Sequence, residues 1–189
     1  WLYEGTTEWA AHTMQLRAGL KTPEAYLATE IRKMHIDRMA YDSTYSLREL
    51  SLTSYSDSGQ AQYGNIYMRG ALVAGLLDIR LLELSHGQRG LQDLILDLTR
   101  RYGKQRAFPE ATFVDTLVAL TDPSIRDFFD QYVLEARHLP IKEYYEKLGI
   151  HLVEDEKGNP ARFEIDPSPT PEQLILREAW LGRRPRGAT

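Results

Sequence analysis

Apolar residues recur every three or four positions along most of this chain, with glycine, proline and capping residues between the runs. This pattern predicts a mainly α-helical fold. A first helix is expected from about Tyr3 to Ala18, stopping at Gly19. Thr22-Pro23-Glu24 restarts the helical pattern, with Thr22 as cap and Pro23 in the first turn. Leu27, Ile31 and Met34 form the expected buried stripe of this second helix, which runs to about Ala40.

Residues 41–61 break the period. Ser54, Ser56, Asp57, Ser58 and Gly59 are not expected to sustain a packed helix, although Tyr41, Tyr45, Leu47, Leu50, Leu52 and Tyr55 are interspersed. The segment reads either as a functional loop or as an aromatic-studded cover over the bundle. A long helix is expected from about Ala61 to Leu84, with Ile66, Gly70, Val73, Leu77, Leu81 and Leu84 on one face. Gly70 and Gly75 in its interior, each costing about 1 kcal/mol relative to alanine, point to a close helix contact. Further helices are expected from Leu91 to Tyr102, after Pro109, after Asp122-Pro123, and from Pro140 to Leu148 before Gly149.

The period then changes to that of strands. His151-Leu152-Val153 and Arg162-Phe163-Glu164-Ile165 flank a Lys157-Gly158-Asn159-Pro160 turn and predict a β-hairpin. Thr170-Pro171-Glu172-Gln173 is a capping box opening a last helix to Leu181, and Arg183-Arg184-Pro185-Arg186 reads as a basic tail. The expected organisation is a helical lobe over 1–149 and a hairpin-plus-helix extension over 150–189.

Composition narrows the partners. A formal net charge of −4 argues against nucleic acid, which needs a basic face. The longest apolar run, Gly70 to Leu77, falls well short of the roughly 20 residues of a membrane span. With no cysteine, disulfides, thiol nucleophiles and cysteine-ligated zinc are excluded from this chain. There is also no Gly-x-Ser-x-Gly elbow, phosphate-binding loop or dinucleotide fingerprint. His12, His35, His86, His138 and His151 contain no i, i+4 pair and read as surface or helix-end residues.

Two places offer chemistry. Glu4 and Glu8 lie one helical turn apart, so both carboxylates leave one face. In a zinc enzyme the first would ligate the metal and the second would accept the distal N–H of a ligating histidine. On spacing alone the pair reads more readily as two solvated acids at a helix N-terminus, and it is the surrounding Trp1-Leu2-Tyr3-Glu4-Gly5-Thr6-Thr7 that favours the metal reading. Tyr67 stands near the start of the long helix, where its phenol either donates to the oxyanion formed when water attacks a peptide carbonyl or packs as a core tyrosine with its hydroxyl at the rim.

The ordered set Trp1-Leu2-Tyr3-Glu4-Gly5-Thr6-Thr7-Glu8, Tyr67-Met68-Arg69-Gly70-Ala71-Leu72, Leu77-Asp78-Ile79-Arg80, Leu91-Gln92-Asp93-Leu94, Phe128-Phe129-Asp130-Gln131-Tyr132-Val133 and Leu139-Pro140 resembles the glycyl aminopeptidases, gluzincin zinc peptidases with a thermolysin-like catalytic domain. The resemblance covers about residues 1–150. It implies a helical C-terminal lobe, Glu4 as third zinc ligand, Glu8 as partner of a ligating histidine, and Tyr67 as oxyanion donor. It further implies a peptide substrate with a small N-terminal residue such as glycine or alanine. No His-Glu-x-x-His occurs here, so the base and both histidines are expected upstream in the same polypeptide. The chain alone is expected to be inactive and to hold no Zn²⁺ tightly, because a catalytic site takes three protein ligands. Family members are often exported, which implies an extracytoplasmic location.

Four departures accompany the resemblance. Glu8 stands where the family has aspartate, Arg69 where lysine is frequent, and Ala136-Arg137 where a glycine is common. Residues 150–189 are too short for the PDZ domain that often follows. The residues leave open two other readings: a non-catalytic helical interaction module, and a zinc endopeptidase on the same scaffold.

Overall fold

The computed structural model describes residues 1–103 and 106–183. It is mainly helical, with one antiparallel hairpin and a C-terminal helix. The helices are α1 (Leu2–Arg17), α2 (Pro23–Ala40), α3 (Leu47–Thr53), α4 (Asp57–Gln62), α5 (Asn65–Leu84), α6 (Leu91–Arg101), α7 (Phe113–Leu120), α8 (Ile125–Phe129), α9 (Ile141–Glu146) and α10 (Pro171–Trp180). The hairpin strands are β1 (Ile150–Glu154) and β2 (Pro160–Ile165), paired Ile150 to Ile165 through Val153 to Arg162. Arg183 closes the described chain, so Arg184 and the rest of the expected basic tail lie outside the described residues.

The fold is built around α5. Every residue from Arg69 to Ile79 is buried, as expected of a helix apolar on nearly all sides. Helices α1, α2, α3, α6, α9 and α10 all pack against it. The α1 contact is the closest, and the two glycines that face each other are its cause. A Cβ on Gly5 would fall 2.7 Å from the carbonyl carbon of Gly70, and one on Gly70 would fall 3.0 Å from Gly5 Cα. One turn further on, Trp9 is buried with its ring edge over Gly75. Both interior glycines of α5 thus sit at the expected helix contact.

Residues 41–61 correct the expectation of irregular chain. They form α3 and α4, because the serines act as caps. Ser46 Oγ accepts from the Glu49 amide at 3.0 Å, and Ser56 Oγ accepts from the Gly59 amide at 3.1 Å. Leu47 and Leu50 anchor α3 in the core. The long helix accordingly starts at Asn65, after the break at Tyr63-Gly64, and not near Ala61. A second correction concerns α2. Its buried residues are Tyr26, Leu27, Glu30 and Lys33, a stripe rotated away from Ile31 and Met34 toward two charges.

The C-terminal extension shares the core of the lobe. Trp180 is buried edge-on to Tyr26, with ring centroids 5.4 Å apart, and also packs near Tyr145. Arg177 fastens the hairpin, donating to the carbonyls of Leu148 at 2.7 Å, Gly149 at 3.0 Å and Asp166 at 3.0 Å. Arg17 ties α1 to α5 and to the end of α10. Its guanidinium pairs with buried Asp78 at 2.6 Å and donates to the Trp180 carbonyl at 3.1 Å. Asp78 also accepts from the Leu91 amide at 2.8 Å, satisfying one of the free donors at the start of α6.

Gly5 of α1 and Gly75 of α5 give opposite expectations on alteration. Gly5→Ala forces two backbones apart and should cost about 1–3 kcal/mol, as overpacking does. Gly75→Ala meets only Trp9 Cδ1 at 3.7 Å, an ordinary contact, and should be neutral or stabilising by up to about 1 kcal/mol. Urea unfolding of the two variants checks this, and equal effects would show that the crossing is not set by the Gly5–Gly70 contact.

Candidate functional site

Glu4 and Tyr67 each lie in the first turn of a helix, and the Gly5–Gly70 contact places those turns side by side. Glu4 directly precedes Gly5 along α1, and Tyr67 lies one turn before Gly70 along α5. The phenol of Tyr67 faces both the Tyr63 phenol and the Glu4 carboxylate. The two tyrosine rings meet edge-on at a centroid distance of 6.0 Å. The neighbouring Tyr63 phenol, then partial desolvation, then the Glu4 carboxylate push the Tyr67 pKa up to about 12. The phenol therefore keeps its proton at neutral pH and stays a donor.

Glu8 follows one turn along α1 but has partners within this chain. Its Oε1 lies 3.0 Å from His12 Nε2 and 3.8 Å from Lys33 Nζ. Lys33 is buried and pairs with buried Glu30 at 3.1 Å. On the other side of the imidazole, Lys21 Nζ lies 3.1 Å from His12 Nδ1 and 2.8 Å from Thr29 Oγ1. Glu4, Glu8 and Tyr67 thus lie along one α1–α5 edge, with Glu4 beside the phenol and Glu8 beside a charged group on α2.

Arg69, the residue after Met68 in the Tyr67 turn, is buried and explains why a guanidinium serves at that position. One nitrogen lies 3.4 Å from Asp37 Oδ2 and another donates to the Arg137 carbonyl, two partners that a single ammonium would not span in this way. Asn65 completes the group by donating to Asp37 Oδ1 at 2.8 Å. Arg69 holds the 135–139 segment against α5 and so supports the backbone that carries Tyr67.

The donor set sets limits on metal binding. Among the described residues no group of three or more histidine, cysteine, aspartate or glutamate side chains is arranged to hold an ion. Glu4 is half-buried with a phenol beside it, which fits one carboxylate of a shared site and does not make a complete one. The other histidines are occupied elsewhere or stand apart. His86 closes α5 with φ 52° beside Gly87, and His151 pairs with Glu146 at 3.0 Å. A cavity of about 130 Å³ lined by Leu81, Leu94 and Leu120 lies at the opposite end of α5 from Tyr67.

Sequence reasoning missed the Glu30–Lys33 pair and the part His12 and Lys21 play beside Glu8. An i, i+3 charge pair on a helix ordinarily marks a solvated face. The only available signal was that Glu30 and Lys33 share a stripe with Tyr26 and Leu27. No family model, characterised protein or solved structure matches this chain. No helix among the described residues is long and apolar enough to cross a membrane.

The environment of His12 predicts a pH dependence. Burial, then the charges of Lys33 and Lys21, lower its pKa from 6.5, and Glu8 offsets this only in part. A depressed folded pKa contributes stability that is complete above the unfolded value and lost as pH falls through the folded one. Folding stability should therefore decline on acidification from about pH 6.5, and His12→Gln should flatten that decline. Glu30 acts in the opposite sense, its pKa raised chiefly by burial, but equally in both proteins, so the difference between them isolates His12. Parallel stability–pH curves for the two would contradict this assignment.

Proposed function

We propose that this chain is the helical C-terminal lobe of a zinc-dependent aminopeptidase that hydrolyses peptides with a small N-terminal residue, glycine or alanine. The observation that carries the reading is the Gly5–Gly70 backbone contact, which sets the first turn of α1 with Glu4 alongside the first turn of α5 with Tyr67. These are the two groups that the resemblance assigns to metal ligation and oxyanion stabilisation. Their elements are separated by about sixty residues of sequence, and a backbone contact between glycines joins them.

In this reading Glu4 supplies one anionic ligand, and two histidines of an upstream His-Glu-x-x-His segment supply the others. Bound Zn²⁺ supplies Lewis-acid polarisation of water and of the scissile carbonyl. Tyr67 donates its proton in a hydrogen bond to the carbonyl oxygen as negative charge develops there, an interaction strongest in the transition state. Its raised pKa keeps the donor intact through the working pH range. Glu8 accepts the distal N–H of one ligating histidine and holds that ring's orientation.

A second reading has its own support. Tyr3, Leu52 and Tyr55 are 77%, 63% and 95% exposed, respectively, which suits a helical module that binds a protein partner without catalysis. The two readings separate on metal and turnover.

The test uses the full polypeptide that carries the upstream segment. Glu4→Gln should abolish zinc retention and peptide hydrolysis, whereas Glu8→Gln should weaken zinc binding about 10- to 100-fold without abolishing it. Tyr67→Phe should lower kcat about 10²- to 10³-fold, as loss of an oxyanion donor does, with KM, zinc content and melting temperature nearly unchanged. Normal turnover in Tyr67→Phe, or normal zinc content in Glu4→Gln, would contradict the peptidase reading. Residues 1–189 alone should lose zinc on dialysis, and a stoichiometric ion resistant to chelators would place the site elsewhere.

A further inference from the structure

Among the described residues, Glu30–Lys33 is one of the two most deeply buried ion pairs. Their side chains are 3% and 2% exposed, respectively, and the charges meet at 3.1 Å. Burial pushes the Glu30 carboxyl above its ordinary range even with Lys33 beside it. A buried pair of this kind is often no more stabilising than apolar residues of the same size, so stability is a poor explanation for it. Its position is a better one. Lys33 Nζ also reaches to 3.8 Å from Glu8 Oε1, the same oxygen that lies 3.0 Å from His12 Nε2.

Lys21 dictates the state of that imidazole. An ammonium only donates, so the 3.1 Å contact from Lys21 Nζ requires a lone pair on His12 Nδ1. The proton of the neutral ring then sits on Nε2 and points to Glu8. Lys21 is itself held by Thr29 Oγ1 at 2.8 Å, and that hydroxyl donates to the Ala25 carbonyl at 3.0 Å. The set runs from α1 through the connecting turn to α2 and converges on one oxygen of one carboxylate. Glu8 Oε2 has no hydrogen-bond partner among the described residues.

We propose that His12, Lys21, Glu30 and Lys33 are positioning residues for Glu8. They hold the carboxylate by Oε1 and leave Oε2 to accept an N–H donor from outside the chain. The identity of that donor, the imidazole of a zinc-ligating histidine, rests on the function proposed above; the restraint on Glu8 does not. The arrangement also gives a use to glutamate in place of aspartate. The longer side chain reaches His12 and Lys33 while still presenting a second oxygen.

The 189-residue chain itself permits the test, with ¹⁵N-histidine and ¹³Cδ-glutamate labels read by NMR. His12 should appear as the Nε2–H tautomer at neutral pH, and the Glu8 carboxyl resonance should show a hydrogen/deuterium isotope shift from that proton. His12→Leu should erase the isotope shift. His12→Gln, whose amide N–H₂ can replace the ring donor, should restore it. The double variant Glu30→Gln/Lys33→Met removes both buried charges together and guards against misfolding. It should leave the chain folded and broaden or shift the Glu8 resonance. An Nδ1–H tautomer, or an unchanged Glu8 resonance in folded His12→Leu, would overturn the proposal.

A zinc measurement on the full polypeptide separates the two inferences. His12→Leu should weaken zinc binding about 10- to 100-fold, as loss of a ligand's orienting partner does, and His12→Gln should bind like the wild type. Zinc affinity lowered by Glu8→Gln but unaffected by His12→Leu would overturn the positioning network. Absence of zinc from the wild type would overturn the peptidase reading, while the Glu8 resonance would still decide the network.

Discussion

Two glycines in backbone contact, Gly5 of α1 and Gly70 of α5, set the geometry on which the rest of the molecule depends. With Cβ positions within about 3 Å of the opposing backbone, no other residue type fits without displacing a helix. The close crossing sets the first turns of both helices, with Glu4 and Tyr67, side by side. It also lets Trp9 lie across Gly75, so that one interface serves both core packing and the candidate site. Gly70 itself lies in a helix interior, a position where propensity alone disfavours glycine.

Around this crossing, buried polar groups fix directions that apolar packing leaves free. Arg17 and Asp78 connect α1, α5, the start of α6 and the end of α10 through one ion pair, the Trp180 carbonyl and the Leu91 amide. Arg69, Asp37 and the Arg137 carbonyl fix the segment after α8 against the turn carrying Tyr67. Glu30 and Lys33 set the environment of Glu8. Each group joins elements distant in sequence, and each includes a charge that would be costly to leave unpaired.

Much of the architecture was legible in the sequence because it rests on local chemistry. Thr22 and Thr170 mark helix starts through caps that the structure contains, and Gly149 marks an end with φ 63°. The β-hairpin follows from a change of period around Gly158. Gly70 and Gly75 announced a close contact, though not its partners. What was not legible depends on tertiary placement. Ser56 read as a breaker, yet it caps α4, and Ser46 caps α3, which Leu47 and Leu50 anchor in the core. The buried face of α2 was misplaced because Glu30 and Lys33 are buried only by virtue of each other and of Glu8. At the site, the i, i+4 spacing of Glu4 and Glu8 was readable, but their separate surroundings, a phenol for one and an imidazole with a buried ammonium for the other, were not.

The central claim is that the α1–α5 crossing sets the Glu4 carboxylate against the Tyr67 phenol, and the ionisation of that phenol tests it most directly. In ¹³Cζ-tyrosine NMR on the folded chain, a tyrosine of ordinary pKa near 10 is largely ionised at about pH 11. Tyr67, with its pKa pushed up to about 12 by Tyr63, desolvation and Glu4, should remain largely protonated there. Tyr63→Phe and Glu4→Gln should each lower that midpoint. An ordinary midpoint near 10 in the folded wild type, or a raised midpoint indifferent to Glu4→Gln, would mean that the two groups do not meet.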